Sequence, residues 1–202
     1  VPLAQRGLPA STYEALRLTA ERMPQARALS FFSDAANFTH THEWSYAELF
    51  ADITRTANAF HDLGIAPGEV IAFILPNLPE THFTIWGGEA AGIVMAINPL
   101  LEAKQQAALL NAAKASVVVT LAPTPGSDLW PKLASQLGQL PALKHVVWVS
   151  MGPYVGQAQC EALSSLAQKE SELHSGVPIH DLRTLMAEWL SPSHRRDPDD
   201  SR

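Results

Sequence analysis

The sequence predicts an α/β protein: a mostly parallel sheet flanked by helices, with a small β-hairpin region near the N-terminus. Three observations carry that expectation. Short apolar runs rich in Val and Ile recur through the middle of the chain, "VIAFIL" and "SVVVT" among them. Each run is continuous rather than alternating, as a strand covered on both faces requires. Helix-length segments separate the runs, and strands alternating with helices imply parallel pairing through right-handed crossovers.

The elements follow in order. Ser11-Thr12-Tyr13-Glu14 has the form of a capping box, and Ala15, Leu16, Leu18, Ala20 and Met23 continue it as a partial helical stripe that Pro24 ends. "ALSFF" (Ala28 to Phe32) reads as a strand, with "THEWSY" (Thr41 to Tyr46) as its hairpin partner. Ser45-Tyr46-Ala47-Glu48 is a second capping box, opening a helix whose apolar face is Leu49, Ile53, Ala57 and Phe60. Gly64 suits a left-handed terminator, and Pro67-Gly68 turns the chain into strand Val70 to Leu75. A regular series comes next: helix Pro79 to Ala91, strand Ile93 to Ile97, helix Glu102 to Ala113, strand Ser116 to Thr120, helix Ser127 to Gln139 and strand His145 to Ser150. Beyond Ser150 the pattern weakens to a loop, a helix in "CEALSSLAQKESELH", and a helical stripe in "HDLRTLMAEWL" (His180 to Leu190). Three stretches are therefore expected: a lead-in helix over 1–24, an α/β subdomain over 25–150, and a helical or irregular segment over 151–202.

The composition narrows the function classes. With 202 residues, 47% hydrophobic and 17% charged, the chain can bury a core. A net charge of −6 without a Lys/Arg stripe argues against a nucleic-acid partner. Cys160 is the only cysteine, which rules out an internal disulfide or a cysteine-based metal cluster and fits a reducing cytoplasm. No apolar run nears the roughly 18 residues of a membrane span, and no basic-then-apolar leader opens the chain. The missing initiator Met and the charged ending "SPSHRRDPDDSR" lead us to expect that both ends are cuts in a longer protein.

No motif supplies a catalytic centre. Gly87-Gly88 and Gly92 depart from G-x-G-x-x-G and fall in and after a helix, so they are expected to admit close packing rather than cradle a phosphate. No G-x-x-x-x-G-K-[ST] and no G-x-S-x-G occurs. His40 and His42 of "HTHE" could point to one side of a strand, but no third ligand lies near them, and a solvated hairpin is the expected reading. His82 reads as a packing or surface residue, Cys160 as part of an ordinary helix start, and Asp199-Asp200 as solvated.

The order of the pieces carries a resemblance. From Trp44-Ser45-Tyr46, through "LGIAPGEVIAFILPN" and "GGEAAGIVMAINPLL", to "AKASVVVT", the chain closely resembles the N-terminal segment of AMP-forming acyl-CoA synthetases of the adenylate-forming superfamily. The likeness covers about Ser11 to Ser150. It implies part of the large domain of the acyl-CoA synthetase fold, and a parent that joins a carboxylic or fatty acid to CoA through an acyl-adenylate. ATP, Mg²⁺ and CoA are implied for that parent and none for this chain. The family's Thr/Ser/Gly-rich phosphate loop, its later acidic residues and its catalytic lysine have no counterpart here, although "RRDPDD" (Arg195 to Asp200) resembles the approach to that loop. No catalytic, cofactor or metal residue is carried over. Asn77, Asn98 and Pro99 are the substrate-side candidates, since open α/β sheets bind ligands beyond the carboxyl ends of their strands; turn-forming asparagines are the plainer reading. The partner implied is the remainder of the parent enzyme, with self-association of the isolated chain through exposed apolar surface. The alternative is a self-standing, flavodoxin-like module that binds a small ligand at a strand-end crevice.

Overall fold

The computed structural model describes residues 5–174 and 176–189. The "RRDPDD" stretch, Asp199-Asp200 and the last residue of the expected C-terminal helix lie outside those residues.

Helix α1 (Thr12–Arg22) starts at Ser11, whose hydroxyl accepts from the Glu14 amide at 3.1 Å, while the Glu14 carboxylate reaches back to the Ala10 N–H. Strands β1 (Arg27–Phe31) and β2 (His42–Ser45) pair antiparallel as the expected hairpin. Helix α2 (Tyr46–Asp62) opens on a complete capping box: the Ser45 hydroxyl takes the Glu48 amide, and the Glu48 carboxylate takes the Ser45 amide at 2.8 Å. Those two exchanges satisfy donors that a helix start otherwise leaves open. Gly64 then adopts φ +80 and Gly68 φ +99, conformations that a side chain would strain.

The main sheet has five parallel strands in the order β4 (Ile93–Ala96), β3 (Val70–Ile74), β5 (Val117–Leu121), β6 (His145–Val149), β7 (Ile179–Asp181). This is the flavodoxin-like doubly wound order, with its reversal between β3 and β5. All five residues of β5 are buried, and β3 and β6 are buried except at their first residue. Helices α1, α2, α3 (Pro79–Ala91) and α7 (Leu182–Ala187) pack together on one face. Helices α4 (Ala103–Ala113) and α5 (Leu129–Ala134) pack together on the other, and α6 (Gln157–Leu173) joins them through a 2.9 Å bond from Trp130 Nε1 to Glu170.

The glycines of the crossover serve packing, as expected. A Cβ on Gly87 would stand 2.7 Å from the Ile53 carbonyl and 2.8 Å from Thr56 Cβ, so only glycine lets α3 lie this close on α2. At Gly92 a Cβ would meet the Glu69 carbonyl at 2.7 Å.

Two elements differ from the sequence expectation. The single helix expected over Ser127 to Gln139 is a six-residue α5 followed by a short 3₁₀ turn, Leu137–Gln139. The Ser135 hydroxyl turns back onto the Lys132 carbonyl at 2.7 Å, which competes with the helical ladder where α5 ends. The stripe at His180 to Leu190 begins with strand β7, and Asp181 caps α7 by accepting from the Thr184 amide at 2.9 Å. Three residues have no readable period; pairing with β6 is what makes them a strand.

Candidate functional site at the carboxyl ends of the strands

All parallel strands point their carboxyl ends the same way, so the turns after them form one rim. The turn after β4 holds Asn98 and Pro99. Asn98 is exposed, and its side-chain oxygen accepts from the Leu100 amide at 2.9 Å, the turn-forming role that short amide side chains take. The Pro99 carbonyl accepts from Gln106 Nε2 at 3.4 Å. The neighbouring turn, after β3, exposes Asn77. The β3–β4 register pairs Phe73 with Ala96, so Asn77 and Asn98 share this end of adjacent strands. All three candidates therefore lie on one open stretch of rim.

The far side of the rim is closed by a cluster that the sequence did not reveal. Glu80, in the first turn of α3, is 1% exposed. Its Oε1 accepts from the Tyr154 hydroxyl at 2.9 Å and from Arg183 Nε at 2.9 Å, and Arg183 Nη2 approaches to 2.7 Å. Arg183 Nη2 also donates to the Tyr154 oxygen at 2.9 Å. Tyr154 follows β6 and Arg183 follows β7, so three separate strand ends meet at one carboxylate. The hairpin packs over them: Phe31 and His42 lie edge-on to the Tyr154 ring at 4.8 and 5.2 Å.

The electrostatics follow from burial. Desolvation, reinforced by the Glu80 charge, pushes the Tyr154 phenol far above its ordinary value, so it remains a donor. Burial works against the Arg183 charge, yet Glu80 and Tyr154 outweigh it and hold the guanidinium more firmly protonated. Among the described residues, the Oε2 of Glu80 has no hydrogen-bond partner. A carboxylate in the first turn of α3 also takes up the positive end of the helix dipole.

A phosphate needs bare amides and unpaired positive charge at a helix start, whereas at α3 the Arg183 charge is already taken up by the buried Glu80 carboxylate. Pro79 and the Thr81 hydroxyl, which accepts from the Leu78 amide and donates to the Pro76 carbonyl, occupy the remaining positions of the turn. These residues of the α3 start do not fit a triphosphate.

The "HTHE" histidines go to separate partners, His42 to the Tyr154 ring and His40 to the Thr39 hydroxyl at 3.3 Å. Cys160 sits in the first turn of α6. Glu80 escaped the sequence reading because an acid two residues into a helix normally faces water.

Comparison with known proteins agrees with this architecture. The chain is 33% identical over 131 residues to marinolic acid–CoA ligase of Pseudoalteromonas sp. (strain SANK 73390), which spans 65% of this chain and 20% of that protein. It is 40% identical over 97 residues to crotonobetaine/carnitine–CoA ligase of Salmonella arizonae, spanning 48% of this chain and 18% of the relative. The chain thus covers about a fifth of the length of these relatives. Among solved structures, the A-PCP didomain of carboxylic acid reductase from Segniliparus rugosus aligns with a TM-score of 0.75 at 12% identity, over 96% of this chain and 28% of that one. Acetoacetyl-CoA synthetase from Streptomyces lividans aligns with a TM-score of 0.66 at 20% identity, over 92% of this chain and 26% of that one. These likenesses show a shared fold. The AMP-binding enzyme family itself matches residues 16–200, from α1 past the last strand of the sheet, and the chain belongs to that family.

Proposed function

We propose that this chain is the N-terminal segment of an AMP-forming acyl-CoA synthetase and that it builds one wall of the enzyme without conducting the chemistry. The whole enzyme converts a carboxylic acid, ATP and CoA to acyl-CoA, AMP and pyrophosphate by way of an acyl-adenylate, with Mg²⁺ serving the nucleotide, in the cytoplasm. The segment holds its own strand ends in place. Asn77, Asn98 and Pro99, on the open stretch of rim, line the acyl or CoA side.

The observation that carries this reading is Glu80: the helix start that would receive a phosphate holds a buried carboxylate locked by Tyr154 and Arg183. The short coverage of the CoA-ligase relatives supports it. So does the edge strand β4, where Ile93 is 51% exposed and the adjoining Leu100 is 83% exposed. The remainder of the enzyme covers this apolar edge. Alone, the chain self-associates through it, and a strictly monomeric species at high concentration in sedimentation would refute that part.

The test is a pyrophosphate-release assay. The purified chain, given ATP, Mg²⁺ and a panel of carboxylic acids, is expected to release none, while the longer parent does. Release by the chain alone overturns the reading. The flavodoxin-like strand order favours a second reading, a self-standing module with a small ligand at the crevice between β3 and β5. Specific binding of such a ligand by the isolated chain would select it.

A further inference from the structure

We propose that His145 and His180 form a two-imidazole site for a late first-row divalent cation, with Zn²⁺ the best geometric match. The two residues sit on adjacent parallel strands, His145 at the start of β6 and His180 in the middle of β7. The register pairs Val147 with His180, and His145 shares a face with Val147, so both rings rise from the same side of the sheet. There His145 Nδ1 and His180 Nε2 stand 3.2 Å apart, with the ring planes at 54°.

That separation is the bite of a metal. Two nitrogens at the usual Zn–N distance in a tetrahedral shell stand about 3.3 Å apart. A square-planar pair, as Cu²⁺ prefers, closes to about 2.9 Å. A ring-to-ring N–H···N bond fits the same gap, so the cation competes with one shared proton.

The surroundings prepare the pair for the cation. The Leu63 backbone lies against the His145 ring and favours a proton on it, an outer contact of the kind that orients metal-binding histidines. Burial, chiefly, holds both imidazoles below their ordinary pKa, so both are neutral and able to ligate at neutral pH. Both rings are only half-buried, which leaves a path for the ion. On binding, whichever ring donates the shared proton moves it through solvent to its own other nitrogen, with no net proton release. His40 and His42, spaced for a metal in the sequence, share no such point.

Two features bound the strength. No group of three or more candidate ligands occurs among the described residues, so water completes the shell. Lys144, adjacent to His145, adds an opposing positive charge.

The proposal is independent of the ligase reading and is tested on the purified 202-residue chain. Calorimetric titration with ZnCl₂ just above neutral pH is expected to show one saturable Zn²⁺ per chain. His145→Gln and His180→Gln should each weaken it at least about tenfold, since even outer-shell changes cost that much, while His42→Gln leaves it unchanged. Circular dichroism confirms folding of each variant. Should His145→Gln unfold, nitrogen-15 NMR of the unaltered chain substitutes: Zn²⁺ shifts the imidazole nitrogens of His145 and His180 and no others. No saturable binding, undiminished binding in His180→Gln, or shifts confined to other histidines would show a proton-sharing pair only and overturn the proposal.

Discussion

On the β6–β7 side of the rim, Glu80 is buried beneath Tyr154, Arg183 and the hairpin; on the β4 side, Asn98 turns in solvent and Leu100 stands almost bare. Both sides belong to one sheet and end the same set of parallel strands. On the closed side Glu80 Oε1, Tyr154 and Arg183 bond to one another, which fixes strand ends and leaves only the buried Oε2 without a partner among the described residues. The open side has satisfied turns and uncovered apolar surface, so it is suited to meeting something else. Polar chemistry at a strand end therefore does not mark a binding site until its partners are counted.

Substitutions on the two sides should separate sharply. Arg183→Met carries the largest expected effect, a loss of about 3 kcal/mol in urea unfolding, because it leaves the buried Glu80 charge uncompensated. The double variant Glu80→Leu/Arg183→Met should recover most of that loss. If it does not, the packing of Arg183 rather than its charge holds the closed side.

Gly87→Ala tests the same half of the molecule without touching a polar side chain. The added methyl meets the Ile53 carbonyl and Thr56, and overpacking of this kind costs about 1–3 kcal/mol, read as a shift of the denaturation midpoint.

Tyr154→Phe removes one donor to Glu80 and should cost about 1 kcal/mol near neutral pH. It also changes the alkaline limb of stability. The folded state holds the Tyr154 proton more tightly than the unfolded state, whose phenol titrates near 10. Its contribution is thus present below about pH 10 and lost as pH rises toward the higher folded value. Denaturation midpoints at alkaline pH should fall less steeply in Tyr154→Phe than in the unaltered chain. Tyr13, also raised by burial, keeps part of the slope.

Asn77→Ala and Asn98→Ala sit on the open side and should change stability by no more than about 0.5 kcal/mol. In the acyl-CoA synthetase proposed as the parent, the same changes are expected to raise the KM for the acid or for CoA. If they alter stability as much as Tyr154→Phe does, the contrast between the two sides fails.

Much of the fold was legible because burial on both faces writes itself as continuous Val/Ile runs, as at Val117 to Val119, and because a capping box is local chemistry, as at Ser45 and Glu48. The hairpin, the doubly covered strands and the close-packing role of Gly87 could be read for the same reason. Strand β7 could not, since three residues carry no period and only β6 makes them extended. The break in α5 depended on a serine hydroxyl choosing a carbonyl over water. At the rim, Asn77, Asn98 and Pro99 could be placed by position after their strands. Glu80 could not, because its partners lie 74 and 103 residues away along the chain.

By itself, then, the sequence determined the parallel α/β class and most element boundaries, which rest on hydrophobic period and turn chemistry, while the family rests on the resemblance carried by its segments in their order. The tertiary structure alone decided which polar groups meet: the Glu80–Tyr154–Arg183 lock and the His145–His180 pair. Those meetings depend on strand order and register, which bring distant residues within hydrogen-bond reach and leave no trace in local pattern.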